Sequence, residues 1–188
     1  LSLKELILHY FKYNFLEEIS KKSKKSNDNL VLDIKSWEYF NIETIFEVKG
    51  SKSFTKSEIK NYPKGDFPYI VTSSENNGVQ GLYDKYTEDG NVLTIDSATV
   101  GSCFYQKNNF SASDHVEKLI PIFNMNIYIA IFILTVINLE KIRYGYGRKF
   151  AQLRIKATDI KLPQDSNGNP NWDFMENYIK SLPYSSNI

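Results

Sequence analysis

Residues 126–139 read NIYIAIFILTVINL, and the nature of this run decides the fold. It is too long and too uniformly apolar for a strand, so it predicts a helix buried on most sides with its isoleucines in the core. The apolar part, Ile127 to Leu139 interrupted by Thr135 and Asn138, is shorter than the ~20 residues a membrane helix needs. Short β-rich runs precede it at 42–48, 69–72, 92–95, 102–105 and 116–122, separated by Gly, Asn and Ser. Together these predict an α+β fold: a mixed, twisted β-sheet packed with the buried helix, and helical segments at both ends.

At the N-terminal end, Leu3, Leu6, Ile7, Tyr10 and Phe11 recur at helical spacing across 2–20, and the Lys- and Ser-rich 21–29 reads as a linker. At the other end, 163–170 has turn chemistry, and Trp172, Met175 and Ile179 share one face of a short helix stopped by Pro183. The expected division is 1–28 (arm and linker), 29–165 (main body) and 166–188 (turn and helix).

The chain has 188 residues, 41% hydrophobic and 24% charged, an ordinary globular composition with net charge +1. One cysteine, Cys103, excludes a disulfide framework and any CxxC site. It reads as a small buried apolar residue. Two histidines, His9 and His115, leave a histidine-rich metal site without ligands, and no cofactor is expected. No segment has the order of a signal peptide. The expected setting is therefore a reducing cytoplasm without membrane contact. The start at Leu1 rather than Met leaves open that the sequence is a piece of something longer.

The flat net charge conceals a local bias. Residues 141–161 carry Lys141, Arg143, Arg148, Lys149, Arg154, Lys156 and Lys161 against Asp159 alone, a net +6. All three arginines of the chain lie here, against 20 lysines overall. Guanidinium offers a planar fork for phosphate or for guanine O6/N7 that a lysine cannot reproduce. A merely solvated basic face is the plainer alternative. A second basic stretch, Lys49, Lys52, Lys56, Lys60 and Lys64 with Glu58 inside it, has the spacing of one face of a short helix or a loop.

No catalytic constellation stands up. Asp33, Glu47 and Lys49 loosely fit the carboxylate-and-lysine pattern of Mg²⁺-dependent nucleases, which makes that the enzyme alternative. Ser181-Leu182-Pro183-Tyr184 is similar to an amino-methyltransferase loop, but Leu182 replaces its first proline and no glycine-rich cofactor loop precedes it. Asp114-His115 is no triad, and His115 reads as structural. A binding module becomes the leading class.

Several segments together resemble the target recognition domain of type I restriction–modification specificity subunits, or its equivalent in fused type II enzymes. Trp37-Glu38-Tyr39-Phe40-Asn41-Ile42 with Ile45-Phe46-Glu47-Val48 is similar to the opening of that domain. Phe67-Pro68-Tyr69-Ile70-Val71-Thr72, continuing through Asn76-Asn77-Gly78-Val79 to Gly81-Leu82-Tyr83, resembles the second block. Val100-Gly101-Ser102-Cys103-Phe104-Tyr105-Gln106 and 110–116 resemble the third, and Tyr144-Gly145-Tyr146-Gly147-Arg148-Lys149 running on to Pro163 the last. These blocks stand in family order. Such proteins carry two recognition domains separated by long helices, and this chain has room for one.

The resemblance implies recognition of double-stranded DNA by a non-catalytic component that directs a DNA adenine methyltransferase and restriction subunits, or fused domains, with a homodimer as one assembly. On this reading Lys52, Lys56, Lys149 and Lys156 neutralise phosphates while Arg148 and Arg154 read guanine edges. Ser73, Ser74, Asn76 and Asn77 form a polar loop with the chemistry to read adenine, and Gln106 is a third candidate. Tyr144 and Tyr146, set among glycines, either pack on sugar and base edges or cap the core at a tight turn. The two end helices are expected to be protein contacts, or else to pack on their own domain.

Overall fold

The computed structural model describes Glu5 and residues 30–98, 100–145, 147–183 and 185. The expected helix at 2–20 and the linker after it lie outside the described residues, as do Tyr146 and Tyr184. The decisive run forms α2 (Ile127–Leu139), introduced by Asn126, whose side-chain oxygen accepts from the backbone amides of Tyr128 and Ile129. Nine consecutive residues, Ile129–Ile137, are buried. The two polar interruptions are both used. Thr135 donates to the carbonyl of Ile131, and Asn138 both donates to and accepts from the backbone of Cys103, 2.9 Å each way.

Burial all round requires a partner on every side. One is a four-stranded antiparallel sheet in the order β2 (Phe46–Gly50), β8 (Val116–Pro121), β5 (Val92–Asp96), β6 (Cys103–Gln106). Phe46, Val48, Leu93, Ile95, Cys103, Tyr105 and Leu119 meet α2 in the main core. The others are a two-stranded antiparallel ribbon, β1 (Glu38–Asn41) with β9 (Asp159–Leu162), and α4 (Trp172–Ser181). Met175, Tyr178 and Ile179 of α4 enter that same core, and Phe123 stacks on Trp172 at 3.9 Å. The C-terminal helix thus packs on its own domain.

The opposite face of the sheet is covered by a second, smaller one in the order β4 (Val79–Tyr83), β3 (Phe67–Ile70), β7 (Ser111–Ala112). Ile70, Phe110 and Ala112 pack there on Val92 and Val116. Covered on both sides, β5 is buried at all five positions. The mixed character of the sheet is confined to this layer, where β3 and β7 run parallel. The other helices, α1 (Lys56–Ile59) and α3 (Gln152–Lys156), are single turns. No helix among the described residues is long and apolar enough to cross a membrane.

One expectation changes. The predicted strand at 42–48 is two elements: Asn41 caps a 3-10 turn over Ile42–Thr44, and pairing resumes at Phe46. The basic segment, to which the sequence assigns no element, is built from several. It passes through a 3-10 turn (Glu140–Arg143), a tight turn and α3 before becoming β9.

Candidate nucleic-acid interface

The four-stranded sheet has one end at which β2 and β5 finish and β8 and β6 begin. Four connections emerge there, 51–53, 97–102, 113–115 and the segment around 145–152, and hydrogen bonds tie them to one another. Ser51 donates through its amide to Val116 and through its hydroxyl to the carbonyl of Ser113. Ser97 donates twice, through amide and hydroxyl, to the carbonyl of His115 at 2.9 Å. Glu117, opposite Gly50 in the β2–β8 register, accepts from the Ser97 hydroxyl at 3.2 Å and from the Gln152 amide at 2.7 Å. Gly50, in the basic stretch from Lys49 to Lys64, and Gln152, in that of residues 141–161, thus both lie at Glu117 at this end of the sheet.

Within 141–161 the cations are sorted by their partners. Arg143 pairs with Glu140 at 2.9 Å, Lys156 with Glu43 at 3.1 Å, and Lys161 donates to the carbonyl of Ile34. Lys141 is half-buried, and desolvation holds its ammonium below the usual lysine range against the pull of Cys103 and Asp96. Burial likewise raises the Glu140 carboxyl, with the Arg143 guanidinium opposing. Arg148, Lys149 and Arg154 are exposed. They are held in place: Gly145 and Arg148 exchange backbone hydrogen bonds across a tight turn, and Arg154 donates to the carbonyl of Lys149 at 2.8 Å. At the base of the turn Tyr144 stacks on the buried Phe150 at 4.1 Å, its hydroxyl 3.1 Å from that of Thr158. Tyr144 thus caps the core, with the Arg148 guanidinium 5.8 Å from its ring centre.

Lys52 and Lys56 are exposed, Lys52 on the segment after β2 and Lys56 as the first residue of α1. Beneath Lys52 lies Glu88, only 3% exposed, which accepts from the Lys52 amide and pairs with Lys118 of β8. Glu88 also exchanges backbone hydrogen bonds with Phe110, so it links both sheets to the 51–53 segment.

The polar loop 73–78 divides into two kinds of residue. Ser74 and Asn76 are exposed and Ser73 is half-buried, its hydroxyl accepting from the Glu75 amide. Asn77 is turned inward, donating to the carbonyl of Tyr105 at 3.0 Å. Gln106 is a correction: it is 3% exposed, and its amide donates to the carbonyl of Asn77 and the hydroxyl of Thr94. Gln106 supports the loop from the edge strand β6 and is not presented to solvent. The loop needs left-handed backbone at Asn76, Asn77 and Gly78 (φ 49°, 52° and 75°), which explains why these are Asn and Gly.

His115 is a second correction. Its side chain is exposed, and the structural part is the left-handed backbone (φ 59°) whose carbonyl holds Ser97. Cys103 is fully buried, and burial pushes its thiol far up, away from reactivity. For the nuclease alternative, Asp33 caps the 3-10 turn Ile34–Ser36 and Glu47 pairs with Lys49 at 2.7 Å on β2. Among the described residues no group of three or more His, Cys, Asp or Glu could hold a metal ion. Nothing in this arrangement supports that alternative. Glu88, Glu117 and Gly101, the last packed closely on Phe150, support the site without a mark in the sequence; the family blocks include Gly101, but no signal names its packing partner.

Residues 34–184 match the family described as type I restriction modification DNA specificity domain. The chain belongs to this family. Over 151 residues the specificity domain is 32% identical to the type II restriction enzyme BgcI specificity subunit S.BcgI of Heyndrickxia coagulans, covering 78% of this chain and 43% of that one. It thus spans less than half the length of that relative. Its fold is similar to a type I restriction–modification S subunit from M. genitalium (TM-score 0.59, 16% identity, 84% of this chain and 41% of the other). It is also similar to the HsdS subunit from Thermoanaerobacter tengcongensis (TM-score 0.53, 10% identity, 95% and 43%).

Proposed function

We propose that the specificity domain recognises a sequence in double-stranded DNA with the loops at this end of the sheet, as the non-catalytic component of a restriction–modification system. The observation that carries this is the exposure of Arg148, Lys149 and Arg154 on an anchored turn and helix in a member of a DNA specificity family. Lys52, Lys56 and Lys149 fit phosphate contacts, which add affinity without sequence information, and the two arginines fit guanine edges. Lys156, paired with Glu43, serves the field around the site more than a direct contact. Ser73, Ser74 and Asn76 lie on a separate loop, held against the β6 edge by Asn77 and Gln106 and apart from the four connections at the sheet end, and they offer a second exposed polar surface to DNA.

Methylation and cleavage then fall to companion subunits or fused domains, an adenine methyltransferase among them. A second recognition half comes from a second copy of the chain or from a longer polypeptide, which gives a DNA site in two parts. A cytoplasmic setting follows from this role.

Arg148→Ala and Arg154→Ala are each expected to weaken binding to the preferred duplex by about 5–150-fold, the worth of one bidentate guanine contact at ~1–3 kcal/mol. The base at one position should become relaxed in each variant. Lys149→Ala should instead weaken all duplexes alike and lower the salt dependence by about one phosphate. Fluorescence anisotropy across a salt series checks this, and unchanged binding in both arginine variants contradicts the assignment.

A further inference from the structure

Two aliphatic side chains stand in water inside the most cationic stretch of the chain: Ile142, 91% exposed, and Leu153, 80% exposed. Leu153 is the better held. Its neighbour Gln152 is tied to Glu117 of the sheet, and Arg154 on its other side is tied to the carbonyl of Lys149. Ile155 is completely buried and fixes the rotation of α3. Side chains two positions apart on a helix point about 200° from one another, so Leu153 is directed outward by the same packing that buries Ile155. An outward-facing apolar side chain thus stands next in sequence to the exposed Arg154, whose guanidinium is held at the Lys149 carbonyl.

An apolar protein surface is a poor match for that setting, because it would desolvate the cation without pairing it. The duplex major groove is a good match. It has phosphates along its rims and room for a helix, and the thymine C5-methyl is the apolar group on its floor. We infer that Leu153 packs against the C5-methyl of a thymine in the recognised sequence, making it a specificity-determining residue for one A·T pair. This rests on the DNA-recognition reading above. It adds a group that reads by methyl contact where the arginines read by hydrogen bonds.

The test uses the whole chain and a random duplex pool. Wild type is expected to enrich sequences with thymine at one fixed position. Replacing that thymine by deoxyuridine removes only the methyl group and is expected to weaken binding about fourfold, the worth of one buried methyl. Leu153→Ala should bind the thymine and deoxyuridine duplexes equally while keeping the rest of the preferred sequence. Its unfolding curve should match wild type, because the side chain touches little in the free protein. Two results overturn the inference while leaving DNA recognition standing. One is wild type indifferent to deoxyuridine at every position. The other is Leu153→Ala discriminating as well as wild type, which would assign Leu153 to a protein partner. Failure to enrich any duplex would overturn both readings together.

Discussion

Glu88→Ala is expected to lower the unfolding free energy by about 3–5 kcal/mol, the usual loss when one member of a buried ion pair is removed. The Glu88 side chain is 2% exposed and that of Lys118 14%, so the abandoned ammonium would sit in the interior with little access to water. The Lys52 amide would lose its acceptor as well. Glu88→Gln keeps that acceptor but not the charge and should fall between alanine and wild type. The double variant Glu88→Met with Lys118→Met should recover a good part of the loss, because the desolvation penalty of both ions disappears. Urea unfolding of the four proteins checks the series. A loss under about 1 kcal/mol for alanine would mean that Glu88 is no link between the sheets.

Gly101→Ala is the second large effect. Gly101 has φ +83°, and a Cβ there would lie 2.3 Å from Cδ1 of Phe150 and 2.8 Å from its Cβ. Left-handed backbone at a non-glycine residue costs about 1–2 kcal/mol, and overpacking a filled core about 1–3 kcal/mol more. Phe150 cannot yield cheaply, because it is fully buried and stacked on Tyr144 at the base of the Gly145–Arg148 turn. The strain therefore passes to the arginine-bearing turn, and DNA affinity should fall along with stability. Wild-type stability in Gly101→Ala would contradict the packing of the 97–102 loop on Phe150.

The parts of the fold legible in the sequence are those whose cause is local. The run NIYIAIFILTVINL could be nothing but a buried helix, and β5, β6 and β8 announce themselves by short apolar runs between turn residues. β1 and β9 were hidden because their pairing joins Glu38 to Leu162 across the whole body, and β9 lies in a stretch whose charge drew attention from its Ile160 and Leu162. β4 is legible only through the family block that contains it, since Gly81 breaks its apolar pattern.

At the site, the clustering of arginine was visible, but which cations stay exposed was not. That depends on Glu43 and the carbonyl of Ile34, which come from distant segments, and on the 3-10 turn that brings Glu140 to Arg143. Gln106 and Asn77 looked like reading groups because their amides suit adenine. Their burial follows from the loop folding back on the β6 edge, a contact 29 residues apart in sequence.

The proposed role is selection of a DNA sequence through the sheet-end loops, with the chemistry left to companion subunits or domains. Selection from a random duplex pool by the purified chain, with and without Mg²⁺ and at two salt concentrations, tests it most directly. The account predicts a short gapped or half-site motif on intact DNA, relaxed at one position in Arg148→Ala. Salt-sensitive binding without any motif, or cut DNA in the presence of Mg²⁺, would contradict it.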